Sequence, residues 1–293
     1  MIEKICPICN TDKYSNIVYK KNLPSFEHID YSGRKNPDGY HYEMVRCNVC
    51  SLLYASSIYD ASVLNQLYEE SNFEYTDEIS GLKKTYNHCL DLAEKKINTK
   101  KNFLEIGCGN GFILEEALKR GWENVIGVEP SIEAISKSSK KIKNNIINKS
   151  FDPKDFDKAT FDMVFFAMLI EHVPDVNKFL SDIHSLLKPG GVLLGIAHDE
   201  SHFLSKLLKN KHPIVNDEHA YIFGKKTLKK IFSKNKFVDI EIFNLKNYYS
   251  LRYWVKMLPF KEFIKKKMNF LNFINKNFGI KAGNIFIISK KNK

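Results

Sequence analysis

The chain has 293 residues, 43% of them hydrophobic and 27% charged, and a formal net charge of +11. This length can bury a sizeable core and suits one large domain with a small accessory module. The sequence holds no apolar run of about 18 residues that could span a bilayer, and Met1 to Cys9 reaches a CxxC motif before a secretory signal could develop. We therefore expect a cytoplasmic protein without a transmembrane segment.

The positive charge leaves two interpretations open. Clustered lysines neutralise phosphates, so a nucleic acid or an anionic membrane surface could be a partner. The lysines run along the whole chain, however, and a solvated surface explains them as well. Only four arginines are present, namely Arg34, Arg46, Arg120 and Arg252, although bidentate contacts to phosphates and bases favour arginine. The composition therefore disfavours a nucleic-acid partner and leaves a peripheral membrane contact open.

Two identical cysteine pairs lie near the N-terminus, in Cys6-Pro7-Ile8-Cys9 and Cys47-Asn48-Val49-Cys50. A CxxC turn presents two thiolates to one ion, and a second such turn completes a closed tetrahedron, which is the arrangement of structural zinc sites. In a reducing compartment, cysteines are more often metal ligands than disulfides. The pattern predicts a zinc-ribbon module over residues 1–60 that binds Zn²⁺. Free dithiols or a redox CxxC are the alternatives. The predicted ligands are Cys6, Cys9, Cys47 and Cys50.

Helices are predicted after this module. Residues 58–98 carry apolar and aromatic side chains at helical spacing, among them Leu64, Leu67, Leu82 and Tyr86. They indicate connecting helices over 61–100, and a lead-in of this kind often caps a ligand site.

From Lys101 onward, short apolar runs alternate with helical stretches. The predicted strands are 102–106, 125–128, 145–148, 161–168, 192–197, 237–243 and 284–289, and the predicted helices are 112–120, 132–142 and 176–187. Such alternation predicts a doubly wound α/β domain, in which helices cover both faces of a parallel sheet. We assign this domain to residues 101–293.

A glycine-rich turn follows the first of these strands, in Leu104-Glu105-Ile106-Gly107-Cys108-Gly109-Asn110-Gly111. Glycines let backbone amides approach a ligand closely. Glu129 ends the next strand, where an acid can accept hydrogen bonds from ribose hydroxyls, so the pair predicts a nucleoside-bearing cofactor. The spacing is GxGxG rather than GxGxxG, and Glu105 suits the cationic amino group of a methionine moiety but would repel a pyrophosphate. Both features favour S-adenosylmethionine over NAD.

At these residues the chain resembles the class I S-adenosylmethionine-dependent methyltransferases. The segment from Phe161 to Val173 is similar to the family's fourth strand, and the segment from Leu187 to Leu194 is similar to its turn into the fifth. The resemblance covers 101–198 and implies a seven-stranded, mostly parallel, Rossmann-like sheet. It places Glu129 on the ribose and assigns cofactor binding to Glu105, Gly107, Cys108, Gly109, Gly111, Glu129, Pro130, Ser150, Phe151, Ala167 and Met168. Within this set, the resemblance implies that Ser150 and Phe151 lie beside adenine and that Ala167 and Met168 line the methyl donor.

Methyl transfer requires an aligned nucleophile and often the removal of its proton, for which a histidine near neutrality is suited. Three histidines lie where this fold has its acceptor pocket: His172 after the fourth predicted strand, His198 after the fifth, and His219 in the segment 216–223. Any one of them could instead be packed or hydrogen-bonded locally.

The segment Asn216-Asp217-Glu218-His219-Ala220-Tyr221-Ile222-Phe223 and the cysteine module are similar to zinc-containing sugar C-methyltransferases and their relatives. That resemblance implies that Glu218 and His219 bind the acceptor and remove its proton. We therefore predict His219 as the base, with Glu218, His172 and His198 as further catalytic candidates. Asn216 and Asp217 replace the leading Tyr-His of the motif, which favours O-methylation over C-methylation.

A basic, aromatic insertion is predicted at 248–283, where apolar residues at helical spacing alternate with lysines. The pattern indicates amphipathic helices. They could pack in the core or in a dimer, cover the acceptor, or dock on a membrane surface.

These observations predict a methyltransferase that uses S-adenosylmethionine and carries structural Zn²⁺. Its acceptor is expected to be a small polar molecule, namely a sugar, a phosphorylated sugar or a related derivative of cell-surface polysaccharide biosynthesis, methylated on oxygen. The alternatives are an RNA-base methyltransferase, a sugar C-methyltransferase and a non-catalytic partner that retains the cofactor fold.

Overall fold

The computed structural model describes residues 1–11, 15–25, 38–71, 78–256 and 277–292. None of the helices in these ranges is both long and apolar enough to cross a bilayer. The described strands are β1 (Ile2–Glu3), β2 (Ser15–Tyr19), β3 (Met44–Cys47), β4 (Leu53–Ala55), β5 (Ser57–Ile58), β6 (Asn102–Ile106), β7 (Asn124–Val128), β8 (Ile146–Ile147), β9 (Phe161–Ala167), β10 (Leu187–His198), β11 (Tyr221–Ile222), β12 (Phe237–Asn244), β13 (Asn247–Ser250), β14 (Asn277–Ile280) and β15 (Asn284–Lys291). The described helices are α1 (Ala61–Glu69), α2 (Ile79–Glu94), α3 (Phe112–Lys119), α4 (Ile132–Ser136), α5 (Val176–Leu186), α6 (Phe203–Leu208), α7 (Lys225–Lys234) and α8 (Leu251–Lys256).

The main sheet has seven strands in the order β12-β15-β10-β9-β6-β7-β8. The strands from β10 to β8 in this order run parallel to one another, and β15 is antiparallel to both of its neighbours. This arrangement confirms the predicted doubly wound, mostly parallel α/β fold. The carboxyl ends of β6, β7, β9 and β10 meet at one edge of the sheet, where ligands bind in open α/β folds.

Two apolar layers explain why the strand sequences are almost continuously hydrophobic. In β6, Phe103 packs in the cluster on one face of the sheet and its neighbour Leu104 packs in the cluster on the other face. In β9, all residues from Phe161 to Phe166 are buried. A strand that is buried on both faces needs apolar side chains at successive positions, which an alternating pattern would not supply.

A smaller antiparallel sheet has the order β11-β4-β3-β2. Three of its strands come from the N-terminal region and the fourth, β11, comes from the segment that follows the candidate base. Tyr221 pairs with Tyr54 and Ile222 with Leu53. Cys6, Tyr54 and Leu104 belong to the same apolar cluster, so this sheet shares a core with one face of the main sheet.

Some element boundaries differ from the predictions. The helix predicted over 132–142 ends at Ser136, where the Ser136 hydroxyl donates to the Glu133 carbonyl oxygen at 2.6 Å, a local bond that competes with the helical ladder. The strand predicted at 145–148 is only Ile146–Ile147. The turn expected before residue 192 lies inside β10, which begins at Leu187 and accommodates the extra residues as an irregularity in its pairing with β9.

The predicted insertion is only partly helical in the described residues. β13 and β14 pair antiparallel where amphipathic helices were predicted, and α8 follows β13. Aromatic residues that suit a helix also suit a strand, so the spacing alone did not separate the two. The remainder of this prediction falls on 257–276, outside the described residues.

Candidate active site

The glycine turn adopts backbone conformations that only glycine tolerates easily. Gly107, Gly109 and Gly111 have φ angles of 71°, 55° and 73°, in the left-handed region. A Cβ atom on Gly111 would lie 2.5 Å from Cδ1 of Ile142. The turn therefore follows the carboxyl end of β6 closely, and the amides of Gly107 and Cys108 tie it to β7 by donating to the Val128 carbonyl oxygen at 2.9 and 3.1 Å.

Glu105 is a buried acid next to this turn. It is 4% exposed, and its Oε2 atom has no hydrogen-bond partner among the described residues. Burial, and then the neighbouring Glu129, raise the pKa of the Glu105 carboxyl well above its ordinary value. A buried acceptor without a donor is costly, and a cationic ligand group at this position would remove the cost.

Glu129 lies opposite, at the end of β7. Its Oε2 atom accepts a hydrogen bond from the Gly109 amide at 2.8 Å, and its Oε1 atom accepts one from the Ser131 amide at 3.0 Å. Burial raises the pKa of this carboxyl, although the two amide bonds oppose the shift. Each carboxylate oxygen retains a second lone pair, so the side chain can still accept from a hydroxyl.

The other residues predicted to bind the cofactor lie along the same edge. Met168 follows β9 with a φ angle of 51°, and its amide donates to the Ile196 carbonyl oxygen at 2.8 Å, which fixes the backbone at Ala167 and Met168. The Ser150 hydroxyl lies 3.3 Å from the Asn65 side chain, and Phe151 packs edge-on against Phe179.

Two further predicted cofactor-binding residues, Cys108 in the glycine turn and Pro130 after Glu129, contact other parts of the protein. Cys108 is buried, and a Cβ atom on Gly127 would lie 2.5 Å from its Sγ atom. The Pro130 carbonyl oxygen accepts from the Asn148 side chain at 2.9 Å. The geometry therefore gives Cys108 a packing role, while its backbone remains part of the turn.

The three predicted histidines lie together. The ring centroids of His172 and His219 are 4.6 Å apart, and those of His198 and His219 are 5.2 Å apart. Leu169 links this cluster to the glycine turn, because its side chain would contact a Cβ on Gly107 and its carbonyl oxygen accepts from the His172 amide. The cluster and the glycine turn therefore share one edge of the sheet.

A side-chain turn sets the orientation of Glu218 and His219. The Asn216 Oδ1 atom accepts from the amides of both residues at 3.0 Å, as asparagine commonly does in turns. The next amide, that of Ala220, donates to the Glu171 carbonyl oxygen at 2.8 Å. The segment is thereby held across the end of β9 and continues directly into β11.

Burial keeps two of the histidines neutral. His219 is 4% exposed, and burial, with smaller contributions from His172 and His198, lowers its pKa well below the ordinary value. Burial also lowers the pKa of His172 to about 3. The Glu218 carboxylate lies 3.7 Å from Nδ1 of His172. Both imidazoles are therefore uncharged at neutral pH and offer a lone pair, but the lowered pKa makes each a weaker base than an ordinary histidine.

Sequence reasoning did not assign two residues that the structure places in this cluster. The Tyr68 hydroxyl lies 2.8 Å from Nδ1 of His172. The Glu171 carboxylate is fully buried; its Oε1 atom accepts from the His198 amide at 2.6 Å, and its Oε2 atom has no partner in the described part of the chain. Tyr68 is brought here by a distant helix, which no local pattern indicates, but an acid directly before a candidate histidine was a visible signal.

Helix α1 covers the site. Asp60 caps its N-terminus by accepting from the amides of Ser62 and Val63. Its C-terminal end places Tyr68 against His172, and the carbonyl oxygen of Ser71 accepts from the Ser131 hydroxyl at 3.2 Å. The helix and the residues just after it therefore contact both His172 and Ser131, the neighbour of Glu129.

The four predicted metal ligands form a separate cluster. The thiols of Cys6, Cys9, Cys47 and Cys50 all lie within 4.8 Å of one another. Both turns have the same geometry, since Asn10 and Ser51, which follow the second cysteine of each pair, have left-handed φ angles of 56° and 68°. Four converging thiols fit a tetrahedral metal without an open position.

Comparison with curated proteins gives partial matches. The chain is 33% identical over 110 residues to a ubiquinone biosynthesis O-methyltransferase of Coxiella burnetii, with 36% of this chain and 47% of that protein covered. It is 36% identical over 99 residues to the protein of the same name from Rhodopseudomonas palustris, with 31% and 37% covered. The matches thus span less than half the length of these relatives.

Solved structures are similar at low identity. One is a phosphoethanolamine N-methyltransferase 2 of Haemonchus contortus in complex with S-adenosyl-L-methionine, at 19% identity and a TM-score of 0.49, which covers 82% of this chain and 62% of that one. Another is a SAM-dependent methyltransferase of Archaeoglobus fulgidus, at 20% identity and a TM-score of 0.49, which covers 79% and 100%.

A family model also matches the chain. The model that describes a methyltransferase domain matches residues 81–242, which is more than half of the chain. This range contains the glycine turn, both acids and all three histidines of the cluster. The chain therefore belongs to this methyltransferase-domain family.

Proposed function

We propose that the protein is an S-adenosylmethionine-dependent methyltransferase. The observation that carries this proposal is the buried Glu105, whose Oε2 atom has no partner among the described residues and lies beside a turn of left-handed glycines. An unpaired buried carboxylate suits the ammonium group of the methionine moiety and is unfavourable for a pyrophosphate. Membership of the methyltransferase-domain family supports the same conclusion.

The donor would be held along the edge of the main sheet. Glu105 and the turn from Gly107 to Gly111 would bind the amino-acid end, and Glu129 would accept from the ribose hydroxyls. Pro130, Ser150 and Phe151 would border the adenine, and Ala167 and Met168 would lie beside the sulfonium. When bound, the donor supplies an electrophilic methyl group, and the protein has to align the acceptor and take up its proton.

We further propose that the acceptor is a small polar molecule, methylated on oxygen. The buried, neutral His219 and His172 with the nearby Glu218 would bind a hydroxyl and take up its proton as the new C–O bond forms, when the oxygen becomes acidic enough to protonate a weak base. The curated relatives are named O-methyltransferases, which supports the choice of oxygen. The assignment to a sugar or sugar derivative of cell-surface polysaccharide biosynthesis rests on the resemblance to zinc-containing sugar methyltransferases.

Structural zinc completes the proposal. Cys6, Cys9, Cys47 and Cys50 would hold one Zn²⁺ and stabilise the smaller sheet without taking part in the chemistry. We accordingly propose a zinc-ribbon module at 1–60, connecting helices at 61–100 and a donor-binding domain at 101–293. Zinc sites made of four cysteines suit a reducing compartment, so we propose a cytoplasmic location.

Two measurements test the function. Calorimetry should detect binding of S-adenosylmethionine, and a panel of sugar nucleotides and phosphorylated sugars should include one that causes release of S-adenosylhomocysteine. Failure to bind the donor would contradict the whole assignment. Tight donor binding with no product from any sugar, RNA or small-molecule panel would instead identify a non-catalytic partner.

A further inference from the structure

A cavity of about 180 Å³ lies where the smaller sheet meets the segment that follows β10. Tyr19 and Arg46 line it from β2 and β3, and Glu200, Lys206 and Lys209 line it from the other side. None of these five residues belongs to the donor site or to the histidine cluster. The lining holds three cationic side chains and one acid, so its formal charge is positive and favours an anion.

Arg46 is fixed in the wall of this cavity. Its guanidinium donates to both carboxylate oxygens of Glu200 and, from Nη1, to the Ser51 carbonyl oxygen at 2.9 Å. One acid is thus already paired with one arginine, which leaves the charges of Lys206 and Lys209 uncompensated within the lining. A guanidinium held in this way presents fixed donors to an incoming oxyanion.

Lys209 adopts a backbone conformation that side chains rarely adopt. It ends α6 with a φ angle of 52° and a ψ angle of −127°. Such a conformation costs stability and persists where the surrounding structure enforces it, which is a recurrent property of ligand-contacting residues. Glycine at this position would relieve the strain, so the presence of lysine there points to a use for its side chain.

The cavity adjoins the candidate base through one residue. Ile214 lines the cavity, and its carbonyl oxygen accepts a hydrogen bond from Nδ1 of His219 at 2.8 Å. A ligand in the cavity would therefore contact the loop whose backbone orients His219.

We propose that this cavity is a subsite for an oxyanion, namely the phosphate group of a phosphorylated acceptor. Lys206 and Lys209 contribute the charge, Arg46 contributes a directed donor, and the Tyr19 hydroxyl is available as a further donor. The identification of the ligand as an acceptor rests on the proposed function, whereas the binding of phosphate does not.

Calorimetric titration with inorganic phosphate, in the absence of a methyl donor, tests the subsite on the full chain. Lys209→Gly removes a cavity charge and relieves the backbone strain. We expect its Kd for phosphate to rise about tenfold, as loss of a charge-assisted hydrogen bond predicts, while its Tm stays equal or increases. Lys206→Ala should weaken binding to a similar degree.

Lys211→Ala is the matched control, because Lys211 is an exposed lysine two residues further along and does not line the cavity. Its Kd should stay within about twofold of the unaltered protein, since a remote surface charge contributes little. Equal weakening in all three variants would show non-specific attraction and overturn the subsite. Unchanged binding in Lys209→Gly and Lys206→Ala would overturn it as well.

Two further arms separate the sources of the phosphate. Glucose 1-phosphate stands for a free phosphorylated acceptor, and vesicles with phosphatidylglycerol stand for a lipid headgroup. Binding of glucose 1-phosphate that is lost in Lys209→Gly supports the proposal, and binding to vesicles alone overturns the assignment to an acceptor. A chain that binds phosphate but not S-adenosylmethionine would contradict the proposed function and leave the subsite standing, and the reverse result would overturn only the subsite.

Discussion

Nδ1 of His219 donates a hydrogen bond to the carbonyl oxygen of Ile214 at 2.8 Å. A carbonyl oxygen can only accept, so this bond fixes the neutral tautomer with its proton on Nδ1 and the lone pair on Nε2. The backbone that holds Ile214 thereby determines which ring nitrogen can act as a base. This relationship leaves Nε2 of His219 as the ring nitrogen that can take up the acceptor's proton.

His219→Asn distinguishes the roles of the two ring nitrogens, because the asparagine amide can replace Nδ1 as a hydrogen-bond donor but cannot replace the basic Nε2. We expect turnover to fall about a hundredfold or more, while the affinity for S-adenosylmethionine and the Tm stay close to those of the unaltered protein. Steady-state kinetics with the acceptor found in the screen, together with calorimetry, measure both. His88→Asn on the exposed side of α2 is the control, and full turnover by His219→Asn would redirect the assignment to His172 or His198.

Glu105→Gln should weaken donor binding by about tenfold or more, because it replaces a charged acceptor of an ammonium group with a neutral one. The same change should stabilise the ligand-free protein at neutral pH. The folded-state pKa of Glu105 is raised, so the native chain holds this proton longer than the unfolded chain, and stability is lost as pH rises from the ordinary carboxyl range towards the raised value. Glutamine removes that loss.

Thermal unfolding and calorimetry in buffers of different ionisation enthalpy check both effects of Glu105→Gln. The unaltered protein should release a proton on binding the donor, since a cation beside Glu105 lowers its pKa, and the variant should release less. Glu123→Gln on the surface should change neither quantity. A variant that binds the donor with unaltered affinity would contradict the role of Glu105.

Gly111→Ala should destabilise the protein by about 2–4 kcal/mol, because it adds a side chain in the left-handed region and overpacks the core beside it. The added Cβ would lie 2.5 Å from Cδ1 of Ile142. Gly121→Ala is a matched control, since Gly121 also has a positive φ angle but a Cβ there meets nothing within 4 Å; it should cost only about 1–2 kcal/mol.

Denaturant unfolding measures these differences. The double variant Gly111→Ala/Ile142→Val lacks the clashing methyl group and should recover part of the loss. If Gly111→Ala and Gly121→Ala lowered the free energy of unfolding by the same amount, the close packing of the turn against Ile142 would not contribute to stability.

Removal of the metal should destabilise the smaller sheet. Elemental analysis should find about one zinc per chain, and chelation or Cys6→Ser should lower both the zinc content and the Tm, because binding free energy at such sites is folding free energy. Cys89→Ser should retain the zinc, since Cys89 lies in α2 outside the four-thiol cluster. Zinc content that is unchanged in Cys6→Ser would refute the assignment.

The sequence was most informative where burial dictates composition. The runs at 102–106, 161–168 and 284–289 are apolar because both faces of the main sheet are covered, and the structure has strands at all three. The glycine turn could be predicted because its backbone excludes other residues. His172 and His198 could be expected at one edge because parallel strands end together, whereas His219 lies in the loop before β11.

Long-range contacts were beyond local patterns. The pairing of Tyr221 with Tyr54 joins segments far apart in the chain, and neither short segment specifies its partner. Tyr68 reaches His172 only through the packing of α1 across the sheet edge. The cavity at Arg46 and Lys209 is likewise formed by separate elements, so neither residue stood out among many other basic residues.

Strand β11 couples the N-terminal region to the loop that carries His219, because it follows that loop directly and pairs with β4. A protein engineer who exchanged residues 1–60 between relatives to alter specificity would replace three strands of the smaller sheet and leave the fourth behind. The graft would also have to include residues 216–222, so that β11 and its partner strand β4 come from the same protein. Homologous recombination between such genes faces the same requirement, so we expect viable chimaeras to inherit both segments from one parent.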